Sequence, residues 1–217
     1  MKIEYLGHSS FKISTKDATV VADPFDPDKV GLTFPKVQAD VVLSSHDHFD
    51  HRYLEGVSGE PFIIDAPGEY EVGGIKVRGF KTFHDDKEGK ERGTNTVFLL
   101  QVEDVTLLHL GDLGHVLSER VVEEIGELNV LFVPVGGVYT IGAEDAAKVA
   151  AQLEPNYIVP MHYLVEGMDK TFGDLQPVSA FLEEMGIEEP GVKKELSISS
   201  KGLPEESEVV VLARTNG

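Results

Sequence analysis

The spacing of apolar and polar residues divides the chain into two halves of different character. In the first half the period is close to two, the spacing that puts alternate side chains on opposite faces of a strand. Residues 2–6 alternate in this way, residues 11–15 resume after a glycine-containing turn, and residues 18–23 form a run rich in β-branched side chains. Asp23-Pro24 and Asp26-Pro27 then break the pattern and predict a loop. Short apolar strands are predicted over 40–44, 61–64, 69–72 and 75–83, and a hairpin over 94–102 and 105–109 that turns at Glu103-Asp104. In the second half strands alternate with helices. A helix is predicted over 118–128, with Ser118 as its cap, and another over 143–153, with Glu144 and Asp145 near its positive N-terminus. A third spans 175–185 and stops at Gly186. Residues 130–135, 157–160, 192–197 and 208–212 read as strands. The chain shows no repeat, low-complexity stretch or Pro/Ser linker, so one domain over residues 1–217 is expected, of the α+β or layered α/β class.

Composition narrows the function. The formal net charge is −19, from 38 acidic and 19 basic residues, which disfavours general binding to phosphate backbones. There is no cysteine, which excludes disulfides, thiolate zinc sites and thiol nucleophiles. No apolar run is long enough to span a membrane, and the N-terminal stretch alternates like a strand where a signal peptide would have an apolar core. The expectation is a cytoplasmic protein acting on a small molecule, with no membrane or nucleic-acid partner. The sequence leaves its oligomeric state open.

The chemistry is concentrated in one place. Three of only eight histidines fall in His46-Asp47-His48-Phe49-Asp50-His51. Residues two apart in an extended chain point the same way, so His46 and His48 can reach one cation, and a turn can aim Asp50 and His51 at a second. Imidazole and carboxylate suit zinc, manganese or iron. A surface turn favours Asp but has no need of three histidines. Six residues cannot complete two coordination shells, and three polar residues just past apolar strands are candidates to do so: His84, Asp112 and His162. His109 lies within a strand and reads as a core histidine. Tyr139 and Thr140, on the Gly-rich PVGGVYTIG loop, are placed to approach a substrate. No GxSxG elbow, P-loop or dinucleotide fingerprint is present.

SHDHFDH resembles the HxHxDH signature of the metallo-β-lactamase superfamily. Asp23 in VVADP, His84, Asp112 in HLGD and His162 in VPMHY resemble its other stations in order, over nearly the whole chain. YLGHSSFKI, PGEYEVGGIKV, FHDDKEGKERGTNTVFL and PVGGVYTIGAEDAAKV resemble a branch similar to L-ascorbate-6-phosphate lactonase and N-acyl phosphatidylethanolamine phospholipase D. The resemblance implies a four-layer αβ/βα sandwich with its site at one edge. It implies His46, His48 and His84 on one metal, Asp50, His51 and His162 on the other, and Asp112 between them. Asp23 is implied to support the ligand loop. The implied activity is that of a metal-dependent hydrolase using a metal-bound hydroxide on an ester, lactone or phosphodiester, with two divalent ions. Zinc is the expected metal, with manganese or iron as alternatives. Asp50, His8 and His115 are the candidate proton-transfer groups. The rival readings are a diiron oxidoreductase on the same ligands and a non-catalytic metal-binding protein.

Overall fold

The computed structural model describes residues 1–188 and 190–215. Two sheets carry the architecture. The first is ordered Leu196–Ser197, Lys2–Gly7, Ser10–Ser14, Thr19–Ala22, Val41–Leu43, Phe62–Ile64, and the second Glu208–Val209, Tyr157–Met161, Val130–Pro134, Val105–His109, Thr94–Val102, Ile75–Phe83, Gly68–Val72. Each sheet is antiparallel on one side and parallel on the other. The parallel pairs lie where crossovers intervene; the antiparallel pairs join strands consecutive in sequence, except that Leu196–Ser197 returns from the far part of the chain to the edge at Lys2–Gly7. Glu103 and Asp104 both adopt positive φ, of 51° and 60°, closing the expected hairpin in the twist that strands favour.

Alternation decides which side chains meet between the sheets. Ile3, Tyr5, Phe11, Ile13, Val20, Ala22, Val41 and Leu43 point inward and join Val77, Leu100, Leu107 and Phe132 of the second sheet in one core. Strand Thr94–Val102 is buried on both faces through Val97, Phe98, Leu99 and Leu100, as a strand between two covered faces must be. Helix Ala143–Leu153 covers the second sheet with Ala146, Val149, Ala150 and Leu153, the i, i+3, i+4, i+7 stripe. The outer face of the first sheet is covered differently. Leu6, Val21 and Val42 pack beneath Val37, Ala39 and Val57, from a two-stranded ribbon and its loops. The expected layered α/β sandwich is present, with one outer layer of helices and one of shorter pieces.

Some boundaries differ from expectation. The helix predicted from residue 175 is Val178–Glu184, because Pro177 is its cap and ends the preceding extended segment. A four-residue helix, Pro27–Val30, lies in the predicted loop, capped by the Asp26 side chain. The last two predicted strands are each split in two, and the halves pair in different sheets. No helix among the described residues is long and apolar enough to cross a membrane.

Candidate metal centre

Sheet direction explains why distant residues converge. Strand Val105–His109 runs parallel to Tyr157–Met161 through Val130–Pro134. It also runs in the same direction as Ile75–Phe83, because two antiparallel steps through Thr94–Val102 restore the direction. The residues that follow these strands therefore emerge at one edge, and they include Asp112, His162 and His84. The loop after Val41–Leu43 arrives there from the first sheet. The Ser44 hydroxyl folds it by donating to the carbonyls of His46 and His51, both at 3.2 Å, and the Thr96 N–H ties it to the second sheet through the Ser45 carbonyl.

The side chains form three overlapping groups whose ligand atoms lie within 4.8 Å of one another: His46, His48 and His84; His8, Asp50, His51 and His162; and His46, His51 and Asp112. Asp112 sits at the centre. Its Oδ2 is 3.2 Å from His84 Nε2 and 3.4 Å from His162 Nε2, and its Oδ1 is 3.2 Å from His51 Nε2. The backbone is strained here: His8, Asp23 and His162 hold φ of 54°, 43° and 52°.

These residues fit divalent cations. Buried His51 Nε2, Asp112 Oδ1, His84 Nδ1 and both ring nitrogens of His162 have no hydrogen-bond partner among the described residues. An unpaired buried polar atom is costly, and the interatomic distances near 3.2 Å lack hydrogen-bond alignment, as expected for lone pairs aimed at a common point between them. The donor set of imidazoles and carboxylates suits the same ions.

Asp23 sets two of the imidazoles. Its Oδ2 accepts from His51 Nδ1 at 2.7 Å, leaving His51 Nε2 to face the cluster. It also accepts from the Ser45 hydroxyl at 2.7 Å, and that hydroxyl lies 2.9 Å from His46 Nδ1. With Ser45 Oγ–H committed to Asp23, the hydroxyl accepts from His46 Nδ1–H, and His46 Nε2 is left as the ligand atom. One buried carboxylate thus orients a ligand directly and another through a serine. Burial and the neighbouring His51 push the His46 pKa down to about 3. Burial and His162 push His8 to about 4. His51 goes the other way. Burial lowers its pKa, but Asp112, Asp50 and Asp23 outweigh that and raise it well above the usual value.

Two expected roles change. His8 is fully buried, its Nε2 is 3.1 Å from Asp50 Oδ2, and it does not line the adjoining cavity. It braces Asp50 from behind. His115 accepts from the Phe83 N–H at Nε2 and donates to the Val116 carbonyl from Nδ1, so neither ring nitrogen is free for proton transfer. His109 is the core histidine expected, with Nε2 donating to the Ser9 carbonyl and Nδ1 accepting from the Gly111 N–H. Tyr139 lines the cavity and Thr140 does not.

Residues not singled out from sequence complete the support. Asn95 donates to the Leu110 carbonyl and accepts from the Asp112 N–H, fixing the backbone that carries Asp112. Gly111, at φ 54°, passes so close to Asn95 and Ser45 that any side chain would collide with both. Asp85 opens the charged stretch of residues 85–92, a pattern that predicts a solvated loop. It is buried, and accepts from the backbone N–H groups of Lys87, Gly89, Glu91 and Arg92. Burial pushes its pKa up, and these four donors more than offset that and hold it far below the usual carboxylate range. An Asp followed by Gly two to four residues later is a loop signal, but which backbone groups it gathers is visible only in three dimensions.

Residues 2–162 match a family model described as the beta-lactamase superfamily domain. The chain belongs to the metallo-β-lactamase superfamily. Within the superfamily it groups with metal-dependent hydrolases. It is 30 % identical over 215 residues to the UPF0173 metal-dependent hydrolase YtkL of Bacillus subtilis, covering 82 % of this chain and 93 % of the relative. It is 31 % identical over 195 residues to a UPF0173 metal-dependent hydrolase of a Geobacillus strain, covering 75 % and 85 %. Among solved structures, a Thermotoga maritima protein assigned as a Zn-dependent hydrolase of this superfamily superposes with a TM-score of 0.80. That protein is 41 % identical, and 97 % of each chain is covered.

Proposed function

We propose that this metallo-β-lactamase superfamily protein hydrolyses a small ester, lactone or phosphodiester at a centre for two divalent cations, zinc being the expected ion. The observation that supports this most is Asp112, whose carboxylate faces imidazoles of both groups: Oδ2 towards His84, His46 and His162, and Oδ1 towards His51. His46, His48 and His84 would hold one ion, and Asp50, His51 and His162 the other, with Asp112 shared. Cations there would polarise the scissile group and lower the pKa of attacking water towards neutrality.

The chain's own residues do the rest. Asp50, kept ionised by His51 and His8 despite its burial, lines the cavity and is positioned to take a proton from water. His8 holds that carboxylate in place. Asp23 and Ser45 keep the proton of two imidazoles on the far ring nitrogen. Phe49, Tyr139 and Phe172 form apolar walls that reduce the access of bulk water. We place the protein in the cytoplasm, acting as one domain.

The test is metal content of protein purified without added metal, followed by turnover on a panel of chromogenic esters, lactones and phosphodiesters. Asp50→Asn should stay folded, retain metal at His46, His48 and His84, and lose at least about 100-fold in turnover. A metal-loaded Asp50→Asn with near-native turnover would overturn the assignment of Asp50.

A further inference from the structure

We infer that Arg92 is an anion anchor, and that the substrate of this site is a small organic ester bearing a carboxylate or phosphate group beyond its scissile bond. The inference rests on the hydrolase reading above and adds a substrate class to it. Beside the metal ligands lies a cavity of about 220 Å³, below the roughly 300–1,000 Å³ of drug-sized sites, so the occupant is small. His48, Asp50, His84 and Asp112 form its floor, and Phe49, Phe172 and Tyr139 are among its walls. Arg92 is the one Lys or Arg among the lining residues.

The pairing of that cation matters more than its presence. Several other cations are paired: Lys29 with Asp26, Arg52 with Asp65 and Lys87 with Glu91. The Arg92 guanidinium has no carboxylate within ion-pair distance and no side-chain hydrogen bond among the described residues. This holds in a loop that carries Asp86, Glu88 and Glu91 and in a chain with twice as many acids as bases. It lies over the Tyr139 ring, 5.7 Å from the centroid, and is half-buried. The Tyr139 hydroxyl is fixed by donating to the Thr171 carbonyl at 2.8 Å, so the ring is a firm platform. The backbone of Arg92 is pinned to Asp85 at 2.8 Å. A planar, permanently charged fork held at both ends, with its donors free, is suited to bidentate capture of an oxyanion. A protein of net charge −19 repels anions at long range, which makes a local anchor more consequential for such a substrate.

The test compares the metal-loaded wild type with R92Q and R92K on paired 4-nitrophenyl esters whose acyl chains differ only in ending as a carboxylate or as its methyl ester. Wild type should favour the anionic ester in kcat/KM by at least about tenfold. R92Q should lose that preference through KM for the anionic ester, and R92K should recover part of it. Calorimetric binding of phenylphosphonate and phenylacetate to the same samples separates phosphate from carboxylate recognition and needs no turnover. Affinity for at least one should fall about tenfold or more in R92Q at equal metal content and melting temperature. If wild type cleaves neither ester while R92Q still weakens binding, the hydrolase reading fails and the anchor stands. Unchanged binding and unchanged ester preference in R92Q would overturn the anchor, as would a wild type that binds neither anion.

Discussion

The two ligand groups on either side of Asp112 are built to different rules. His46, His48 and His84 contain no carboxylate of their own, and His48 is exposed. His8, Asp50, His51 and His162 are all buried and contain Asp50, with Asp23 directly behind. In the first group burial takes His46 down to about 3 and lowers His48, whereas at His84 the effect of burial is outweighed by Asp112 and the pKa is raised. In the second, three carboxylates around His51 favour the proton, which occupies a place where a cation would otherwise sit. The fully buried group carries negative charge of its own, and the group that opens to solvent through His48 does not. The two groups should therefore differ in affinity, in exchange and in dependence on pH.

The sharpest way to break the comparison is at the shared residue. Asp112→Asn keeps the shape and removes the charge common to both groups. It should lose metal from both and lower turnover by at least about 1,000-fold. Elemental analysis together with turnover checks this, and a variant that kept two ions would mean the groups are independent. Asp23→Asn should act unequally. It disturbs the His51 tautomer directly and the His46 tautomer only through Ser45, so metal affinity should fall by about 10–100-fold, more on the buried side. Competition titration against a chromophoric chelator resolves the two steps, and equal weakening of both would contradict the route through Ser45.

The smallest effect concerns acid. In the metal-free protein His46 and His8 titrate near 3 and 4 when folded, against about 6.5 when unfolded. Below pH 6.5 the unfolded chain binds more protons, so these residues' contribution is lost as pH falls towards 4 and then 3. His51 has the opposite sign: its contribution is full below about 6.5 and declines as pH rises through its elevated folded value. With chelator present, the melting temperature should drop by at least about 3 °C between pH 6.5 and 5. A melt that stays level or rises over that interval would show that His46 and His8 are not held deprotonated by the fold.

How much was legible in advance follows from the range of the forces. Ile75–Phe83, Thr94–Val102, Val105–His109 and Ala143–Leu153 appear where local periodicity put them. His84, Asp112 and His162 were legible because each is a polar residue just past an apolar strand, and strand direction did the rest. The split of residues 192–197 and 208–212 between sheets was not legible, because partner choice for two-residue strands is made by tertiary packing. Asn95, Ser45 and Asp85 escaped notice for a related reason. Each acts on backbone or on another side chain that is adjacent only after folding. His8 and His115 show the converse: both are candidate proton-transfer groups by resemblance, and the fold turns one behind Asp50 and the other into the backbone.

Asp85 makes the loop between His84 and Thr94 a frame with replaceable parts. Its carboxylate grips main chain only, so the loop's shape depends little on which side chains occupy positions 87, 88, 90 and 91. Substitutions at those positions can alter the charge around the cavity mouth while the frame and the adjacent His84 stay in place. Selection, or a mutagenesis library, could therefore retune which molecules enter this site one residue at a time, without passing through forms that have lost their metals.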